Sequence, residues 1–199
     1  MDDRAAYRLP SVVTHNYDPD RGPFRNLCSL SDGDAQTVLA AIGAEGHRSI
    51  KPNYLARRRA AEAWLLSERT RKLGAPKLRH PIYFFLGDMS DGADPSRPRS
   101  YVVPLASLPA DAITFTYPDS MASHLIGFRD DLAHERLPHH GKLFTLAEIA
   151  DLIAREGLPG KRWQVETGRR HDRFIEMQLW EPVPLAALNQ PVNQFKINP

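Results

Sequence analysis

Glu176 stands in the run Phe174-Ile175-Glu176-Met177-Gln178-Leu179-Trp180. Strand alternation sends Phe174, Glu176, Gln178 and Trp180 to one face and Ile175, Met177 and Leu179 to the other. Glutamate belongs by default on a solvated surface. Two aromatic neighbours make that face a poor one for solvent, so the alternative is a carboxylate in a cleft. The second feature is the triplet Arg57-Arg58-Arg59 on a predicted helix, where Arg58, Glu62 and Leu65 share a face at i, i+4, i+7. Guanidinium groups grip phosphates in bidentate fashion. A carboxylate can hydrogen-bond a ribose hydroxyl and stabilise an oxocarbenium-like centre, the help that glycosidic cleavage needs. With Tyr83 and Phe84 near a strand, these groups suit a dinucleotide substrate. The plainer reading of Arg58 is an ion pair with Glu62, worth little if exposed.

Other chemistries lack their residues. No G-x-G-x-x-G follows a strand, and there is no phosphate loop of the G-x-x-x-x-G-K-[ST] type, H-E-x-x-H or G-x-S-x-G. His134, His139 and His140 cluster in a polar linker without a tight pattern of acid or Cys ligands, so no metal site is expected. Cys28 is the only cysteine, which rules out an internal disulfide and reads as core rather than nucleophile.

The ten Lys and Arg between Arg48 and Arg79 face only Glu62 and Glu68, a balance of +8. The rest of the chain therefore carries −6, since the net charge is +2. Such a segment (48–79) predicts a polyanionic partner, nucleic acid or a phosphorylated cofactor, against the alternative of a solvated helix face. The remaining composition is that of an ordinary globular chain: 199 residues, 42% hydrophobic and 25% charged. No apolar run is long enough for a bilayer, so no membrane partner is expected. No signal peptide is visible, and the expected compartment is the reducing cytosol.

The elements that must position these groups follow from caps and periodicity. Residues 1–22, rich in Pro and charge, read as an extended arm, and Phe24–Leu30 as a short strand. Ser31 caps a helix carrying Ala35, Val38, Leu39 and Ile42 that Gly43 can end. A second helix spans Tyr54–Lys72 and stops at Gly74 and Pro76, with Leu55, Trp64 and Leu65 buried. Strands are expected at His80–Leu86, Ser100–Leu105 and Ala112–Tyr117. Asp119 or Ser120 then caps a third helix, and Thr145-Leu146-Ala147-Glu148 is a capping box for a fourth, ending at Gly157. Arg173–Glu181 is the last strand. Strands without regular β/α alternation predict an α+β fold.

Four segments carry a family likeness: His80-Pro81-Ile82-Tyr83-Phe84; Tyr101-Val102-Val103-Pro104-Leu105-Ala106-Ser107-Leu108; Ile113-Thr114-Phe115-Thr116-Tyr117-Pro118-Asp119-Ser120-Met121-Ala122-Ser123; and Arg169-Arg170-His171-Asp172-Arg173-Phe174-Ile175-Glu176-Met177-Gln178-Leu179. Their order and spacing over Pro23–Leu188 resemble the ADP-ribosyltransferase fold, most nearly the DarT-type DNA ADP-ribosyltransferases. The resemblance implies a split mixed or antiparallel sheet with flanking helices, in one domain over 23–189 and followed by a tail over 190–199. It implies NAD as co-substrate, Glu176 as the catalytic glutamate, and Arg58 on the diphosphate, with Arg57 and Arg59 beside it. The family's first strand is Y-H-[IV]-T, whose histidine binds the NAD ribose. The matching segment is Phe24–Ser29, with Asn26 in the histidine's place and Ser29 nearby as binders of ribose or amide groups. Thr14-His15 is a rival placement for that histidine. Tyr83 would pack on nicotinamide.

The function so implied is transfer of ADP-ribose to a nucleic-acid base, in a toxin or defence setting with a possible antitoxin partner. The alternative is a non-catalytic nucleic-acid or nucleotide-binding module of the same fold.

Overall fold

Alternating apolar residues in five short segments build one antiparallel sheet in the computed structural model, which describes residues 7–160 and 162–188. The strands are β1 (Val12–Tyr17), β2 (Ile82–Leu86), β3 (Arg99–Pro104), β4 (Ile113–Thr116) and β5 (Glu176–Leu179). Their order across the sheet is β3-β1-β2-β5-β4. The main helices are α1 (Asp32–Ala44), α2 (Tyr54–Leu73), α3 (Ser120–Phe128) and α4 (Leu146–Glu156). The architecture is α+β, an antiparallel sheet flanked by helices.

The register assigns each face. Phe84 and Phe115 lie opposite Met177, and Ile82 and Ile113 opposite Leu179. These side chains form the main core with Val13, Val103 and Ile175, and Ile149, Leu152 and Ile153 of α4 join it. The opposite face brings Tyr83, Phe85, Glu176, Gln178, Thr114 and Thr116 together. Leu65 of α2 and Trp180 close over part of it.

Local signals act as expected at most helix ends. Ser31 accepts from the Asp34 amide, Asp119 from the amides of Met121 and Ala122, and Thr145 and Glu148 make the reciprocal box. The N-terminal region departs from expectation. Val12–Tyr17 is not part of an extended arm but an interior strand, paired along its whole length with β3 and through Val13 and Thr14 with β2. Its β-branched and aromatic residues suit a pleated surface. Phe24–Leu30 is not a strand. Asn26 turns its side chain back onto the Cys28 amide and caps a single turn of 3-10 helix, Leu27–Ser29. The tail over 190–199 lies outside the described residues.

Candidate functional site

Beyond Thr14 the β1–β2 ladder stops, and the imidazole of His15 accounts for the next contact. Its Nδ1 lies 2.8 Å from the Tyr83 carbonyl and its Nε2 2.9 Å from the Phe24 amide nitrogen. A carbonyl can only accept and an amide N–H can only donate. Nδ1 therefore carries the hydrogen and Nε2 accepts. A cleft of about 580 Å³ opens here, lined among others by His15, Tyr83, Arg58, Asp119 and Glu176.

Burial pushes the His15 pKa from 6.5 down to about 4; the Tyr83 hydrogen bond opposes the shift and the Arg97 charge adds to it. The folded chain keeps this ring neutral, so acid favours the unfolded chain, which protonates more readily. The stability that His15 contributes is complete above pH 6.5 and is lost as pH falls towards 4, in total roughly 3 kcal/mol. Urea unfolding of wild type and His15→Gln between those pH values checks this. The variant should have the flatter slope.

Glu176 is held by two elements, β5 and α3. Strand β5 aims it into the cleft, and its Oε1 accepts from the Ser120 amide at 3.2 Å, the first residue of α3. The same oxygen accepts from Gln178 Nε2 at 3.1 Å. The direction of that bond is fixed from far away. Trp180 Nε1 can only donate, and it donates to Thr114 Oγ1 at 2.7 Å. The Thr114 hydroxyl then donates to Gln178 Oε1 at 3.0 Å, which leaves the amide NH₂ for Thr116 Oγ1 and Glu176. All of these side chains are buried. Burial raises the Glu176 pKa; the Arg58 charge opposes this, Asp119 adds to it, and the two donated hydrogen bonds oppose it.

Arg58 stacks its guanidinium 4.0 Å from the centroid of the Tyr83 ring and reaches Ser120 Oγ at 3.4 Å. Ser120 thus stands between Arg58 and Glu176, which are not directly paired. Burial disfavours the Arg58 charge, but Tyr83, Glu176 and Glu62 around it outweigh burial and raise its pKa. The Arg58–Glu62 contact is no surface ion pair. Glu62 is 3% exposed, and its Oε1 accepts from Tyr83 OH at 2.9 Å and from Asn26 Nδ2 at 3.0 Å.

The other expected binders are placed differently. Asn26 borders the cleft, but its amide is engaged by Glu62, the Pro81 carbonyl and the Cys28 amide. Ser29 is exposed, outside the cleft lining, and donates to the Asn26 carbonyl. Arg57 and Arg59 also lie outside the lining, and Arg59 pairs with Asp32. Tyr83 lines the cleft with Arg58 against its ring. Thus Glu176, Arg58 and Tyr83 come together, and Ser29, Arg57 and Arg59 do not join them. The cleft also holds arginines that sequence reasoning missed, among them Arg25, Arg97 and Arg173. Their positions 25, 97 and 173 are far apart in the chain, and no local pattern links them.

The basic segment is partly neutralised. Arg58, Arg59, Arg71, Lys72 and Lys77 pair with Glu62, Asp32, Glu68, Glu148 and Glu181. Arg69 holds the carbonyls of Gly74 and Asp111.

His139, His140 and Asp172 form a separate buried cluster. His140 Nδ1 accepts from the Leu137 amide, so its Nε2 carries the hydrogen and donates to Asp172 Oδ1 at 2.9 Å. A protonated nitrogen is no ligand, and Arg169 brings a positive charge to 3.3 Å from the same carboxylate. The geometry is that of a polar clamp. Burial works against the Asp172 charge, but the hydrogen bonds from His139 and His140 prevail and lower its pKa to about 2.

Among the described residues, no helix is long and apolar enough to cross a membrane. Compared with models of protein families, with curated proteins and with solved structures, the chain matches none of them.

Proposed function

We propose that this chain is an NAD-dependent ADP-ribosyltransferase of DarT-like fold. The observation that carries the reading is the convergence of a buried glutamate on a strand, Glu176, with a half-buried arginine, Arg58, in one cleft with an aromatic floor. NAD would lie across the cleft with its diphosphate at Arg58. Glu176 would take a hydroxyl of the nicotinamide ribose, and as nicotinamide leaves, its charge would stabilise the cation left behind. The site of His15, on β1 beside Tyr83, supports the rival placement of the family's strand over the Asn26 one. The acceptor is proposed to be a nucleic-acid base, with exposed Arg25 and Arg48 of the cleft lining available to phosphates.

The second reading, a binding module without catalysis, is favoured by one observation. Both ring nitrogens of His15 are already engaged inside the chain, leaving none for a ribose. Calorimetry with NAD tests the site common to both readings. Arg58→Ala should weaken NAD binding by about one to two orders of magnitude, because the diphosphate is charged throughout and loses a charge-assisted contact. NAD binding unchanged by this substitution would remove the cleft as the site. Release of nicotinamide by the wild type then separates enzyme from module.

A further inference from the structure

The carboxylate of Glu62 gathers donors from three separate parts of the chain. Oε1 takes Tyr83 OH from β2 and Asn26 Nδ2 from the turn before the 3-10 helix, and lies 3.4 Å from Arg58 Nε one turn earlier on α2. Oε2 lies 2.7 Å from His80 Nδ1, just before β2. A buried carboxylate without partners is strongly unfavourable, so these four contacts are what allow Glu62 at 3% exposure.

The consequence lies in what the four contacts fix. An arginine with a free side chain samples many rotamers, and ordering it on a ligand costs affinity. Here Nε is drawn to Glu62, the guanidinium lies over the Tyr83 ring, and Nη1 meets Ser120 Oγ. The Tyr83 ring is itself pinned by its hydroxyl on Glu62. One carboxylate therefore sets both the cation and the surface it rests on.

We propose that Glu62 is a positioning residue of the cleft, which pre-orients Arg58 and Tyr83 for the diphosphate of a dinucleotide. The diphosphate part rests on the reading of the cleft given above. The pre-orientation of Arg58 does not, and it has its own measurement.

In Glu62→Gln the side-chain volume and an accepting oxygen remain, and the charge is lost. The wild-type Arg58 Nε–H resonance should be displaced from free arginine values by the Tyr83 ring beneath it and the Glu62 carboxylate 3.4 Å away, and in Glu62→Gln it should move towards those values in ¹⁵N-resolved NMR. An unchanged resonance in a folded Glu62→Gln chain overturns the proposal without reference to any ligand. ADP-ribose, as the diphosphate probe, should bind Glu62→Gln about tenfold more weakly. It should bind Arg58→Ala/Glu62→Gln no more weakly than Arg58→Ala alone, because Glu62 acts through Arg58. Additive losses in the double variant overturn the proposal, since a merely structural role predicts them. Should Glu62→Gln not fold, Glu62→Asp keeps the charge one methylene back and should show the same resonance shift in part; no shift there overturns the proposal. Wild type that binds no ADP-ribose sinks the dinucleotide reading and with it the diphosphate part of this proposal, while the resonance still decides the orientation of Arg58.

Discussion

Glu176→Gln should lower nicotinamide release about a thousandfold while leaving NAD affinity within a few-fold of wild type. Departure of nicotinamide builds positive charge on the ribose. A carboxylate meets that charge in the transition state and has much less to meet in the ground state. Glutamine keeps the length and an oxygen for the Ser120 amide, which donates at 3.2 Å in wild type. The variant should also be no less stable than wild type. Burial raises the Glu176 pKa, with Arg58 opposing, so ionising this group in the fold carries a cost that grows as pH rises through its ordinary range. Glutamine does not ionise and escapes that cost. Higher or equal thermal stability with lost turnover marks a group retained for chemistry rather than for folding. Nicotinamide release with and without DNA, alongside calorimetry and thermal unfolding, gives the three quantities. Full activity in Glu176→Gln, or no release by wild type with any acceptor, ends the enzyme reading.

Gly127→Ala should be strongly destabilising. Gly127 lies on α3, where glycine is ordinarily a liability. Its reason is a backbone-to-backbone crossing. A Cβ at this position would sit 2.4 Å from Gly141 Cα and 2.8 Å from Gly141 N. Neither atom belongs to a flexible side chain, so the helix or the loop must shift. The loop is fastened to α3 by the Gly141 amide on Ser123 Oγ and elsewhere by the His140–Asp172 hydrogen bond. The expected loss is about 3 kcal/mol, a fall of about 10 °C in Tm for a chain of this size. Gly33→Ala on α1 is the control. A Cβ there meets nothing within 4 Å, and the change should be neutral or slightly stabilising. Equal effects of the two in differential scanning calorimetry would refute the crossing as the cause.

Much of the framework was legible because it is written in local patterns. The alternation through Phe174–Trp180, the Ser31 and Asp119 caps and the Thr145 capping box each need only neighbours along the chain. β1 was hidden because Val12–Tyr17 is flanked by Pro10, Pro19 and charged residues, so its surroundings looked like an arm. Leu27-Cys28-Ser29-Leu30 looked strand-like, but the Asn26 side chain offered the backbone a turn instead. In the site, Glu176 and Arg58 were readable from period two and period 3.6. The arginine triplet was over-read. Successive helical residues point about 100° apart, so only the one sharing a face with Glu62 and Leu65 could enter the cleft. The first strand lies at Val12–Tyr17 rather than Phe24–Leu30, so His15 and not Asn26 stands on it. The cleft arginines at 25, 97 and 173 are set by the sheet's long-range pairing, which leaves no local trace.

The last strand in chain order does not sit at an edge of the sheet. β5 lies between β2 and β4, both made earlier on the ribosome. Until residues 176–179 emerge, β3, β1 and β2 can pair with one another, but β4 lacks the only strand it is paired with among the described residues. The nascent chain therefore presents two strand edges that the finished sheet closes, one on β2 and one on β4, each a target for chaperones and for mispairing with other chains. The same late segment carries Glu176, so a polypeptide interrupted before it lacks both the acidic group and Gln178, which donates to it. The cleft that Glu176 lines is complete only once this final strand has entered the gap between β2 and β4.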